Sequence, residues 1–181
     1  AQEGYRLATD EQAMARRELI TSLILNVRSI SSAFKAAEKL TSLADQDAQA
    51  VSALKDEQER QELLALLGIR EGERVSLSLR AQVRRLEEQQ KRRAKRVSSD
   101  TLLRSVAQVQ TVLRDALTVA LSAQAPLVNE HLREPLEAFC TRRSAQQLLE
   151  DVQAVELTLR RLRTNANARL ALEALMSRFV Y

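Results

Sequence analysis

Apolar residues recur along this chain at the three- and four-residue spacing of one helix face. Thr9-Asp10-Glu11-Gln12 offers N-cap candidates and early acidic residues for a helix through Ala13, Leu19, Ile20 and Leu23. Asn26 to Ser29 reads as a break. A long pattern then runs from about Ile30 to Leu67 through Phe34, Ala37, Leu40, Leu43, Ala44, Val51 and Leu54, with Gly68 as its C′ residue. A second long pattern starts near Val75 and runs through Leu79, Val83 and Leu86 to Val97. Two long helices joined by a short glycine-containing turn predict an antiparallel hairpin. Ser98-Ser99-Asp100 reads as a fresh N-cap for a helix with a wide apolar stripe: Leu102, Leu103, Val106, Val109, Val112, Leu113, Ala116, Leu117, Ala120 and Leu121. Gln124 to Asn129, with Pro126, predicts a loop, and Pro135, Leu136 and Phe139 a shorter helix. Ser144 caps a helix through Leu148, Leu149, Val152, Val155, Leu159 and Leu162. Asn165 or Asn167 opens the last helix, whose apolar face is Leu170, Leu172, Leu175, Met176 and Phe179.

The hairpin has a thin middle. Between Leu54 and Leu63 its first arm is charged or amide-bearing, and between Leu86 and Val97 the second arm is nearly all charged. A seam that poor in apolar groups predicts an arm that projects from the body. Near the turn, Leu63, Leu64, Leu66, Leu67, Ile69, Val75, Leu77 and Leu79 return, either to close the tip on itself or to form a small docking patch.

Composition sharpens the fold class. The 181 residues are 45% apolar and only 3% aromatic, with three glycines and two prolines. Strong helix formers dominate. The expected fold is all-α: a bundle of about six or seven helices with a long projecting antiparallel helical hairpin. The formal net charge of +4 comes from 28 basic and 24 acidic residues with interleaved signs. That balance reads as a salt-bridged helical surface rather than a strongly basic nucleic-acid module. Cys140 is the single cysteine, which forbids an intramolecular disulfide and fits a reducing, cytoplasmic setting. No apolar run reaches membrane-spanning length, and no charged-then-apolar leader opens the chain. Ala1 stands where a methionine is usual, as after processing or in a fragment of a longer protein.

Little catalytic chemistry is available. Three glycines cannot build a phosphate-binding loop. A single histidine, His131, excludes a histidine triad or metal cluster. Arg142 and Arg143 stand near Cys140, but no general base does, so the thiol reads as structural. Glu87-Glu88 and Asp56-Glu57 read as solvated helix faces. The expectation is no catalytic, cofactor or metal site. One charge run stands out: Lys91, Arg92, Arg93, Lys95 and Arg96. On a helix these spread over most of the circumference, without aromatics to stack bases. They are candidates for sequence-independent contact with DNA phosphates.

Three segments together resemble a known family. Ala1 to Arg17 resembles the end of the lid in the δ′ subunit of the bacterial DNA polymerase III clamp loader, where a Leu-Ala helix leads into an Ala/Arg-rich one. Leu86 to Leu102, with Leu113-Arg-Asp-Ala-Leu117, is similar to the δ′ form of high-GC Gram-positive bacteria. The final Asn165-x-Asn-x-x-Leu-Ala-Leu-Glu-Ala-Leu helix is similar to the closing helix of clamp-loader collars. The sequence departs at Val112-Leu113, where an aromatic often stands before the arginine, and at Gly68 to Glu73, which has little counterpart in shorter δ′ chains.

The resemblance implies residues 1–25 as the end of an AAA+ lid with a connecting helix, and residues 26–181 as a C-terminal collar domain with a hairpin arm at about 45–97. It further implies a non-catalytic oligomerisation scaffold, an upstream AAA+ module without ATPase activity of its own, and γ/τ-type and δ-type subunits as partners. Candidate residues for the interface with those subunits are Leu170, Leu172, Leu175, Met176 and Phe179, with Leu148, Leu159 and Leu162; part of this set is intradomain core, and sequence alone does not divide it. Two other readings stay open. A stand-alone coiled-coil adaptor would self-associate through the hairpin. A nucleic-acid-binding helical module would show salt-dependent DNA binding.

Overall fold

The structure is a computed structural model that describes residues 2–69, 76, 79–164 and 166–180, with backbone alone up to residue 13. Among the described residues six α-helices follow one another: α1 (Gln2–Leu25), α2 (Ile30–Leu66), α3 (Arg80–Ala120), α4 (Arg133–Cys140), α5 (Ala145–Arg163) and α6 (Ala168–Ser177). A single 3-10 turn, Glu130–Leu132, precedes α4. There is no strand among the described residues, so the fold is all-α.

Local chemistry explains most of the boundaries. At the α1–α2 break, Ser29 and Ser32 cap reciprocally: the Ser32 N–H donates to Ser29 Oγ at 3.1 Å and the Ser29 N–H to Ser32 Oγ at 2.9 Å. α2 ends in a Schellman motif. The Gly68 N–H donates to the Ala65 carbonyl at 3.0 Å and the Ile69 N–H to that of Leu64 at 2.9 Å. Gly68 sits at φ +69°, where a side chain would be strained. α5 opens with a full capping box between Ser144 and Gln147. Asn167 caps α6 by accepting from the Leu170 N–H at 3.1 Å. Asn165 lies outside the described residues.

Three expected boundaries move. α1 runs straight through Thr9 to Gln12, because no proline or glycine there stops the helix. α3 begins at Arg80, after a turn in which the Leu79 and Arg80 N–H groups donate to the Ser76 carbonyl. Val75 and Leu77 lie outside the described residues. α3 also continues unbroken through Ser98-Ser99-Asp100. Ser98 Oγ donates to the Asp45 carboxylate at 2.7 Å, so a tertiary partner takes the hydroxyl that would have capped a new helix.

The chain divides into two compact units. The first comprises residues 1–41 and 103–181. Its core is apolar: Ile20, Ile24 and Val27 after α1's midpoint, Val106, Val109, Val112 and Leu113 of α3, Leu136 and Phe139 of α4, then Leu148, Val155, Leu172, Leu175, Met176 and Phe179, all buried. α5 packs against α6, and α1 against α4. α2 offers this core a row of small groups, with Ala33, Ala36 and Ala37 buried beside Leu40.

The second unit spans residues 42–102. Its buried side chains are Ala44, Ala48, Ser52, Thr101 and Leu102 among the described residues, so Leu102 is its one large buried apolar group. Val51, Leu54 and Leu66 are exposed. The arms are antiparallel: Asp45 meets Ser98, while Asp56 and Glu59 meet Arg93. Where apolar side chains run out, Arg93 bridges both carboxylates, donating to Glu59 at 2.8 and 2.5 Å and also to Asp56. Gln90 adds a bond to the Asp56 carbonyl at 2.9 Å. At the turn, Leu63, Leu64, Leu67, Ile69 and Leu79 are half-buried and Leu66 faces out.

Candidate interaction surfaces

The closing helix is an interior element. Leu172, Leu175, Met176 and Phe179 are buried within the chain, as is Leu148, with Leu162 nearly so and Leu159 half-buried. Of the eight residues assigned from sequence to an intersubunit interface, Leu170 alone is strongly exposed, at 62%. The stripe is real, and α5 and the core cover it, so these side chains fall in the core part of that set. A partner can reach Leu170, and the edge of Leu159.

A charged node fixes this helix. The Arg143 guanidinium donates to the Asp151 carboxylate at 2.5 Å and to the Arg178 carbonyl at 2.7 Å, while Arg178 Nε reaches the other Asp151 oxygen at 3.2 Å. The same guanidinium lies over the rings of Phe139 and Phe179, at 5.4 and 5.7 Å. Burial pushes the Asp151 carboxyl up, against the pull of Arg143 and Arg178. Arg143 thus ties α4, α5 and the end of α6 together. Its proximity to Cys140 in sequence has no catalytic counterpart: the thiol donates to the Ala116 carbonyl at 3.1 Å, and burial pushes its pKa up.

The loop before α4 is pinned by Asp115, fully buried on α3. Its carboxylate accepts from the Val128 and Asn129 N–H groups at 3.1 and 2.8 Å and from the Asn129 amide at 2.8 Å. Asp115 belongs to the Arg-Asp pair prominent in the sequence, yet its role depends on a partner 14 residues away. His131 is exposed, and no three metal-ligating side chains cluster among the described residues. No described helix is long and apolar enough to cross a membrane.

With the core closed, the apolar groups left outside stand out. Leu117 and Leu121 at the end of α3 face Ala145, Gln146, Leu149, Glu150 and Gln153 of α5 across an open groove of about 610 Å³. Leu121 is 60% and Leu149 49% exposed. Leu157, two turns after Leu149 and within about 80° of it around α5, is exposed as well. Sequence periodicity brought Leu148 and Leu149 forward together. Which of these neighbours faces the core is decided by α6, and Leu148 is the one.

The basic run divides differently from the sequence expectation. At 100° per residue, Arg93 alone points toward the opposing arm, where Asp56 and Glu59 hold it. Lys91, Arg92, Lys95 and Arg96 share an outward arc of about 140° and are exposed. Four of the five therefore form one face rather than circling the helix.

The match to known proteins takes in this basic stretch and the helices after it. A family model described as DNA polymerase III, delta subunit, C terminal, matches residues 55–180, more than half of the chain. No curated protein and no solved structure matches it.

Proposed function

We propose that this chain, which belongs to the family formed by the C-terminal domains of DNA polymerase III delta subunits, is a non-catalytic scaffold of the clamp loader. In this reading it is the collar of a δ′-type subunit, working in the cytoplasm in DNA replication. An AAA+ module precedes Ala1, residues 1–25 complete that module's lid, and γ/τ-type and δ-type subunits are its neighbours. The δ′ assignment rests on the three sequence segments described above. The scaffold assignment fits the structural work of several buried or half-buried polar groups: Asp115 pins a loop, Asp151 and Arg143 lock α6, and Cys140 sits against a helix carbonyl.

The observation that carries the proposal is the apolar groove between the end of α3 and α5. A closed core has no use for Leu121 and Leu149 in water, and exposed apolar patches on an otherwise complete unit mark contact sites. Gln146, Gln153 and Glu150 supply the polar rim that such interfaces carry. The test is reconstitution with the γ/τ-type and δ-type subunits, read by co-elution. Leu149→Asp and Leu121→Asp should each abolish assembly while changing the unfolding free energy by no more than about 0.5 kcal/mol, the usual range for exposed positions. Assembly that survives the double variant with its fold intact would remove the groove from consideration.

A further inference from the structure

The outer face of the α3 arm holds a cationic surface larger than the Lys91 to Arg96 run. Three adjacent basic pairs stand on it: Arg84 with Arg85, Lys91 with Arg92, and Lys95 with Arg96. Helix geometry sorts them into two parallel rows of three. Arg84, Lys91 and Lys95 lie within about 40° of one another around the axis, as do Arg85, Arg92 and Arg96. Within each row the steps are seven and four residues, about 10.5 and 6 Å. B-form DNA rises about 3.4 Å per nucleotide of one strand, so these steps approximate three and two phosphates.

All six side chains are exposed, and none has an ion pair or hydrogen bond among the described residues. Arg133, Arg160 and Arg169, by contrast, each pair with a glutamate one turn away. Glu87 and Glu88 stand one turn from several of the six without closing a bridge. Glu88 lies between the rows, and Arg85 borders the open groove between the arms beside Glu59 and Glu62, so these are acidic groups the face must tolerate. The opposite polarity sits on the other arm: residues 42–66 carry six acidic and two basic side chains, whereas residues 80–102 carry eight basic and three acidic. Arg93, the run's inward member, holds the acidic arm and leaves the outward cations unclaimed.

We infer that the Arg84–Arg96 face of α3 binds the phosphate backbone of duplex nucleic acid, without reading its sequence. Charge complementarity selects a polyanion. The absence of apolar anchors on the face, where Ala81 is the sole apolar side chain, argues against a folded protein partner, whose interface core would need them. The absence of aromatics on it argues against single-strand stacking. This surface shares no residue with the α3–α5 groove and does not depend on the scaffold reading.

The experiment is fluorescence anisotropy of a labelled short duplex titrated with the chain itself. With four to six phosphates engaged, affinity should fall about 10²- to 10³-fold between 50 and 200 mM salt. Combining Arg84→Gln, Arg85→Gln, Lys91→Gln, Arg92→Gln, Lys95→Gln and Arg96→Gln should abolish binding and the salt slope, with circular dichroism reporting an intact helix, since glutamine matches these residues in helix propensity. A control removes the same charge elsewhere: Arg28→Gln, Lys35→Gln, Lys39→Gln, Arg160→Gln, Arg161→Gln and Arg163→Gln should retain most of the affinity. Equal losses in both variants would reduce the effect to net charge and overturn the inference. So would no binding by the parent chain, or displacement of the duplex by polyglutamate as readily as by unlabelled duplex.

Discussion

The two compact units are built from the same helix-forming residues yet held by different forces. The unit of residues 1–41 and 103–181 buries large apolar side chains around α3, α5 and α6, and the area removed from water, at about 25 cal/mol per Å², is its main stabilisation. Among its described residues, the unit of residues 42–102 buries alanines, a serine, a threonine and one leucine, and it crosses its midpoint on Arg93, Asp56, Glu59 and Gln90. Exposed or half-exposed ion pairs contribute little each. Length and regularity of a helix therefore say nothing about how firmly it is held. The hairpin is the region where local opening should be easiest.

The sharpest way to break that contrast is to attack each unit at its charged node. Asp151→Ala strands the buried Arg143 guanidinium and should lower the free energy of global unfolding by about 3–5 kcal/mol in a urea titration. Arg93→Gln should leave the global midpoint close to the parent value and instead speed amide exchange along residues 45–97. Equal global losses from both changes would erase the distinction between the units. A smaller effect probes the apolar unit alone: Ser144→Ala removes the capping box of α5 and should cost about 1 kcal/mol, again by urea midpoint.

The gentlest test is pH. Arg93 holds the Glu59 carboxyl down to about 2 from an ordinary 4.5. A carboxyl whose pKa is lower folded than unfolded stabilises fully above the unfolded value and loses that contribution as pH falls between the two. Hairpin amides should therefore lose exchange protection, relative to those of the other unit, as pH drops from 4.5 toward 2. Asp151 runs the other way: burial raises its carboxyl, so protonation there does not drain stability from the fold. Protection that falls in parallel in both units would show that the Arg93 clamp does not set the hairpin's response.

How much the sequence revealed depends on how local each determinant is. Ser144 as the cap of α5, and Gly68 after α2, act within a single turn, and both were legible. The Ser98-Ser99-Asp100 signal was equally plain and misleading, because Asp45, 53 residues away, engages the Ser98 hydroxyl. The closing helix shows the same limit. Leu172 and Leu175 form an evident apolar face, but whether its cover comes from the same chain or another is not a local property. Here α5 and the Arg143 node supply it. Neither Leu149 as a surface residue nor Arg143 as a lock could be read without knowing which side α6 occupies. The basic run was visible as composition, and only the seating of Arg93 against Asp56 and Glu59 separated one structural arginine from an outward face.

The small side chains of α2 invert the usual ranking of replaceable positions. Ala33, Ala36, Ala37, Ala44 and Ala48 are all buried, while Val51 and Leu54 on the same helix stand in solvent. A buried methyl gives up no rotamer freedom, and it has none with which to evade a crowded neighbour. Enlarging such a position forces the backbone itself to move. At these positions Leu54 can shrink almost unnoticed, and Ala37 or Ala44 cannot grow.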